Sequence, residues 1–136
     1  MSIIPVISEP VLSVFQNIAP VHRSVLLDVR KLIFDVSSND PRVGIIEEAL
    51  RWGEPAYIAT RRKTGSTIRL GVERTSGMPA LFFNCNTTLV EGFRDQFGPV
   101  LKYSKNRAVL IDRTDAEIKS AMSVCIASAL TYHLPG

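Results

Sequence analysis

The chain has 136 residues, 46% of them hydrophobic and 21% charged, with a formal net charge of +3. One domain of this length buries roughly two thirds of its unfolded surface, so the composition excludes a disordered chain and one that depends on disulfide staples. The positive charge is mild and mostly spread, unlike the basic stripe of a nucleic-acid binder.

The opening, "MSIIPVISEP", has no basic leader and no long apolar core, and Pro5 interrupts it, so it does not read as a signal peptide. No run approaches the ~18 to 20 apolar residues of a membrane helix. Cys85 and Cys125 are the only cysteines and stand far apart. That usage fits a reducing compartment, and the expectation is a soluble cytoplasmic protein. "NTT" at 86 to 88 fits a glycosylation sequon that a cytoplasmic chain leaves unused.

Ser8 is placed to cap a first helix, with Pro10 in its first turn and Leu12, Phe15 and Ile18 on one face. Pro20 breaks that run. A second helix follows, with Val25, Val29, Leu32, Ile33 and Val36 inward and Arg23, Arg30 and Lys31 outward. Asp28 is spaced to pair with Lys31 or Arg23. "SSNDP" closes the helix. Asp40 and Pro41 then predict a third helix, with Ile46, Ala49 and Leu50 as its apolar side and Arg51 and Trp52 as its end.

The period changes next. "STIRLGVE" alternates, with Ile68, Leu70 and Val72 on one face and Thr67, Arg69 and Gly71 on the other. "ALFF" at 80 to 83 and "AVLI" at 108 to 111 are continuously apolar and suit central strands. "YSKNR" at 103 to 107 predicts a hairpin with Asn106 in its turn. Two helices carry capping-box spacing: Thr88 with Glu91, and Thr114 with Glu117. Leu89, Phe93 and Phe97 line the first, which Gly98 and Pro99 end. Ile118, Met122, Cys125, Ile126 and Ala129 line the second, and Pro135 stops it. The fold class is α+β: N-terminal helices, a mostly antiparallel sheet with one inserted helix, and a C-terminal helix, in one domain over 1–136.

The segment "WGEPAY" at 52 to 57 holds the only tryptophan. Gly53 suits a helix C-cap, Pro55 stops the helix from resuming and pushes Glu54 into an extended form, and Tyr57 with Ile58 begins a strand. Trp52 is expected to lid one end of the core.

Trp52, Gly53, Pro55 and Tyr57 match a W-G-x-P-x-Y element, and with it the chain resembles the YdhG-like domain family, a domain of unknown function. "GSTIRLG" at 65 to 71, "FFNCNTTLVEGFRDQFG" at 82 to 98, "NRAVLI" at 106 to 111 and "CIASALTYH" at 125 to 133 also look alike. The resemblance spans nearly the whole chain and implies a frataxin-like α-β sandwich with no agreed catalytic residues. One branch of the family is described as an intracellular iron chaperone, which implies ferrous iron as cargo, held by oxygen ligands on an acidic face. Here the acids are the Glu47–Glu48 pair, Glu54, and the group Asp112, Asp115 and Glu117, and they form no acidic ridge.

No motif names a reaction. Cys85 with His22 or His133 has no spacing that supports a nucleophile and base. Cys85, Cys125 and His133 are too few for a recognisable metal site. "KTG" at 63 to 65 lacks the S-x-x-K partner of serine β-lactamases, and "TGST" lacks the order of a phosphate loop, so a hairpin turn at Thr64-Gly65 is the plain reading. Arg61, Arg62 and Lys63, with Arg69 and Arg74, are the densest positive run and suit an acidic partner or a solvated hairpin tip. The ligand-binding candidates are Glu54, Tyr57, Arg69 and Arg107, set to line the sheet face opposite the helices and to take a small anionic ligand. The expectation is a non-enzymatic adaptor or carrier with a protein partner or a small anion. The alternative is an enzyme that uses the same face. No resident cofactor is expected, nucleic acid and membrane are disfavoured, and self-association as a homo-oligomer stays open.

Overall fold

The structure, a computed structural model, describes residues 4–59 and 65–133. It is an α+β sandwich with four helices and one sheet of six antiparallel strands. The helices are α1 (Val11–Gln16), α2 (Pro20–Asn39), α3 (Leu89–Phe97) and α4 (Ala116–Leu130). The strands are β1 (Glu47–Arg51), β2 (Glu54–Ile58), β3 (Ile68–Val72), β4 (Pro79–Phe82), β5 (Lys102–Ser104) and β6 (Ala108–Leu110), in the order β1-β2-β3-β4-β6-β5.

Strand alternation sorts the side chains. Leu50, Tyr57, Ile68, Leu70, Leu81 and Val109 join one core with Phe15, Ile33, Met122 and Ile126 of the helices. On this side α1 packs against β1 and β2, α2 against β3 and β4, and α4 against β3. The second face carries a separate small cluster of Ala80, Phe82 and Ala108, with Leu110 beside it. The apolar runs at 80 to 83 and 108 to 111 are interior strands, as their composition predicts.

The predicted third helix is absent. Asp40 accepts from the Arg42 amide and from the Val43 amide in a single turn. Gly44 then adopts φ +75, which ends the turn. Residues 47–51 form β1 instead, because alternation puts Glu48 and Leu50 inward and leaves Ala49 and Arg51 on the other face. The C-cap expected at Gly53 is a hairpin turn. Trp52 (φ +55) and Gly53 (φ +76) join Arg51 to its partner Glu54 in a two-residue type I′ loop. Trp52 lids nothing: it is 89% exposed.

Other local signals moved by a residue or two. Pro10, not Ser8, is the N-cap of α1, and Glu9 holds the Ser13 amide at 2.9 Å. Val11 and Phe15 are its buried residues, while Leu12 and Ile18 are only partly covered. Pro20 opens α2. Arg30, expected outward, is buried and bonded to Glu48. Arg23 donates to the Ile18 carbonyl rather than pairing with Asp28. Thr88 makes no side-chain cap on α3. On α4 the cap is Asp115, whose carboxylate accepts from the Ile118 amide, and not Thr114. In the β5–β6 hairpin the positive φ falls on Lys105 rather than Asn106.

Candidate functional site

Of the four predicted ligand residues, the structure brings three together. Ala56 pairs with Arg69, while Tyr57 pairs with Ile68 one residue on. A side-chain period of two therefore sends Tyr57 to the opposite face from Arg69. Tyr57 is fully buried among the helices, so it is corrected out of the site. Its hydroxyl donates to Glu48 Oε2 at 2.7 Å. Glu48 also takes Arg30 Nε at 2.6 Å and Arg30 Nη2 at 2.9 Å. Arg30 Nη2 donates to the Pro5 carbonyl as well, at 2.7 Å. Burial pushes the Tyr57 hydroxyl well above its ordinary range, and the Glu48 charge adds to that. Burial opposes the Arg30 charge, but its bonds and attraction to Glu48 outweigh it and the guanidinium titrates higher than usual. This triad holds the N-terminal segment, α2, β1 and β2 together. It is structural, and nothing in the spacing of Arg30, Glu48 and Tyr57 announced it.

The second sheet face holds the candidate site. Glu54 and Arg69 form an ion pair there, and the Arg69 guanidinium lies over the Phe82 ring at 5.3 Å. Half-burial raises the Glu54 carboxyl above its ordinary range, against the pull of Arg69, Arg74 and Arg107. Gly71 leaves room for that carboxylate: a Cβ at this position would collide with Glu54 Oε2.

Two clefts open on this face and share Trp52, Arg69 and Arg107. The first, of ≈ 470 Å³, adds Arg51, Thr67, Phe83, Asn84, Cys85 and Asn86. The second, of ≈ 460 Å³, adds Glu54, Val72, Glu73, Arg74, Thr75 and Phe82. They differ in charge. The first has three arginines and no carboxylate. The second has three arginines and two carboxylates. Glu73 is held by its own turn, accepting from the Thr75 and Ser76 amides at 3.1 and 2.8 Å, and bonds from the Ser76 side chain, the Ser76 amide and the Thr75 amide pull its carboxyl down to about 2. The first cleft is therefore the more positive of the two. Arg107 makes no side-chain hydrogen bond or ion pair among the described residues, and Arg51 bonds only the adjacent Leu50 carbonyl, at 2.9 Å.

Sequence reasoning missed Arg51, Thr67, Asn84 and Asn86. The hairpin between β1 and β2 carries Arg51 and Trp52 to the cleft, where the residue pattern predicts the end of a helix. The basic run at Arg61, Arg62 and Lys63 and the turn at Thr64 lie outside the described residues. Among the described residues no three His, Cys, Asp or Glu side chains gather into a metal site. Cys85 is exposed and Cys125 is buried, where burial pushes its thiol up to about 12. No helix of the described residues is long and apolar enough to cross a membrane. In comparisons with known proteins, no family profile, no curated protein and no solved structure matches this chain.

Proposed function

We propose that this chain is a small non-enzymatic binding protein, an adaptor or carrier of the YdhG-like kind in the reducing cytoplasm. Its second sheet face takes a small anionic ligand. One observation carries this reading: the first cleft is lined by Arg51, Arg69 and Arg107 with no carboxylate among its walls. Arginines with unused donors in a concavity suit a carboxylate or phosphate group. Helices on one face of an antiparallel sheet agree with the frataxin-like resemblance, and two unpaired cysteines agree with a reducing compartment.

The iron-carrier branch has less support. Glu48 is engaged by Arg30 and Tyr57, Glu54 by Arg69, and Asp112 by Lys102. Asp115 and Glu117 share Arg113, and Asp115 also caps α4.

Thermal unfolding with and without pyrophosphate tests the anion site. Wild type is expected to gain Tm with added pyrophosphate, by mass action on the folded state. Arg107→Ala removes an arginine that makes no side-chain hydrogen bond or ion pair among the described residues and leaves Glu54 its ion pair with Arg69, so it is expected to fold normally and to lose most of that gain. Arg113→Ala, away from the cleft, is expected to keep it. Equal gains in wild type and Arg107→Ala, or no gain in wild type, would overturn the reading. Arg69→Ala is the poorer probe, because it leaves the half-buried Glu54 carboxylate without its counter-charge.

A further inference from the structure

Neither burial nor backbone preference accounts for Trp52. It is 89% exposed, the largest side chain of the protein left in water to that degree. It also occupies the first position of a type I′ turn at φ +55, where a side chain other than Asn, Asp or Gly is disfavoured. A stability optimum at this position is Asn-Gly. A bulky residue held in an unfavourable conformation, its ring in solvent, marks a place where the ring meets something else.

The surroundings say what. Trp52 lines the arginine-rich first cleft with Arg51, Arg107, Asn84 and Asn86. None of the other large exposed apolar residues (Val6, Val21, Ile45, Val124 and Tyr132) lines either of these clefts. Among the described residues Trp52 therefore has no second large exposed apolar side chain beside it in these clefts to form the centre of a protein interface. The cleft of ≈ 470 Å³ is of small-molecule size. Asn84 accepts from the Asn86 amide at 2.9 Å through its side-chain oxygen, and among the described residues neither its NH2 group nor the Asn86 carboxamide has a partner.

We propose that the anion bound here also carries a planar ring, and that it is a free nucleoside monophosphate. The ring stacks on Trp52, its edge meets the Asn84 and Asn86 carboxamides, and the phosphate meets Arg107 and Arg51. This rests on the anion-binding reading above and adds the ring to it.

Trp52 is the only tryptophan, so intrinsic fluorescence reads this site alone. The experiment titrates wild type with AMP, ribose 5-phosphate and adenosine, and repeats the titrations by calorimetry on Trp52→Asn, a substitution the turn favours. AMP is expected to quench saturably and to bind on the order of ten-fold or more tighter than ribose 5-phosphate, the usual worth of a stacked base. Trp52→Asn is expected to bring AMP down to the level of ribose 5-phosphate. Equal binding of AMP and ribose 5-phosphate to wild type would overturn the ring and leave the anion-binding reading standing. Adenosine binding as tightly as AMP would remove the anion, and with it both readings. No binding of any of the three would also overturn both. A short single-stranded oligonucleotide binding more than ten-fold tighter than AMP would assign the site to nucleic acid and overturn the free nucleotide.

Discussion

Glu48 shows how much a single side chain can carry. Its carboxylate satisfies both Arg30, whose side chain is 5% exposed, and the buried Tyr57 hydroxyl. Glu48→Ala leaves a buried guanidinium without its counter-charge, and such a loss costs about 3–5 kcal/mol. Urea unfolding is expected to show that drop with little change in slope, since the surface exposed on unfolding stays the same. Glu73 gives a pH effect instead. Its folded carboxyl is pulled from the ordinary 4.5 down to about 2 by hydrogen bonds from Ser76, side chain and amide, and from the Thr75 amide. A depressed folded value means the contribution is present above the unfolded value and is lost as pH falls through the folded one. Glu73 therefore contributes to the acid limb between about pH 4.5 and 2. Glu73→Gln is expected to lower stability at neutral pH and to flatten that limb, read from urea midpoints across the window.

Elements follow contacts that sequence spacing only approximates. The capping-box spacing places a cap at Thr114, yet the oxygen that reaches the Ile118 amide, at 3.2 Å, belongs to Asp115. Asp115→Ala is expected to cost about 1 kcal/mol, the usual worth of an N-cap. Thr114→Ala is expected to stay within about 0.5 kcal/mol of wild type. A paired thermal or chemical unfolding comparison of the two variants separates them; a larger loss at Thr114 would move the cap back. The β1–β2 hairpin makes the same point with more at stake. Its Trp-Gly turn is legible as a turn only once Glu47–Arg51 is known to be a strand, and that choice is tertiary. Ile46, Ala49 and Leu50 fit helical spacing, but Glu48 reaches Arg30 and Tyr57 only from a strand in this register.

At the scale of the whole molecule, helices cover one sheet face and the other keeps its clefts. The core is continuous from α1 through β2, β3 and β4 to α4. β1 and β5 are the sheet's edges, and β3 and β4 are interior strands flanked on both sides. Hydrogen exchange is expected to follow that order: amides of β3 and β4 exchange only with global unfolding, and those of β1 and β5 open earlier. Uniform protection across all six strands would contradict it.

The α+β class, the interior strands within 80 to 83 and 108 to 111, the alternation of Ile68, Arg69 and Leu70 and the long C-terminal helix were legible in the sequence, whereas Val72, expected on the face of Leu70, lines the second cleft. Each is set by a period or run of apolar residues, a property local to its own segment. The strand at 47 to 51, the inward turn of Arg30 and the separation of Tyr57 from Arg69 were decided by the tertiary structure alone. So was the gathering of Arg51, Trp52, Asn84 and Arg107 at one cleft. The physical reason is common to all four. Strand register and the pairing of buried charges depend on residues distant in the chain, and a shift of one residue exchanges one face of the sheet for the other.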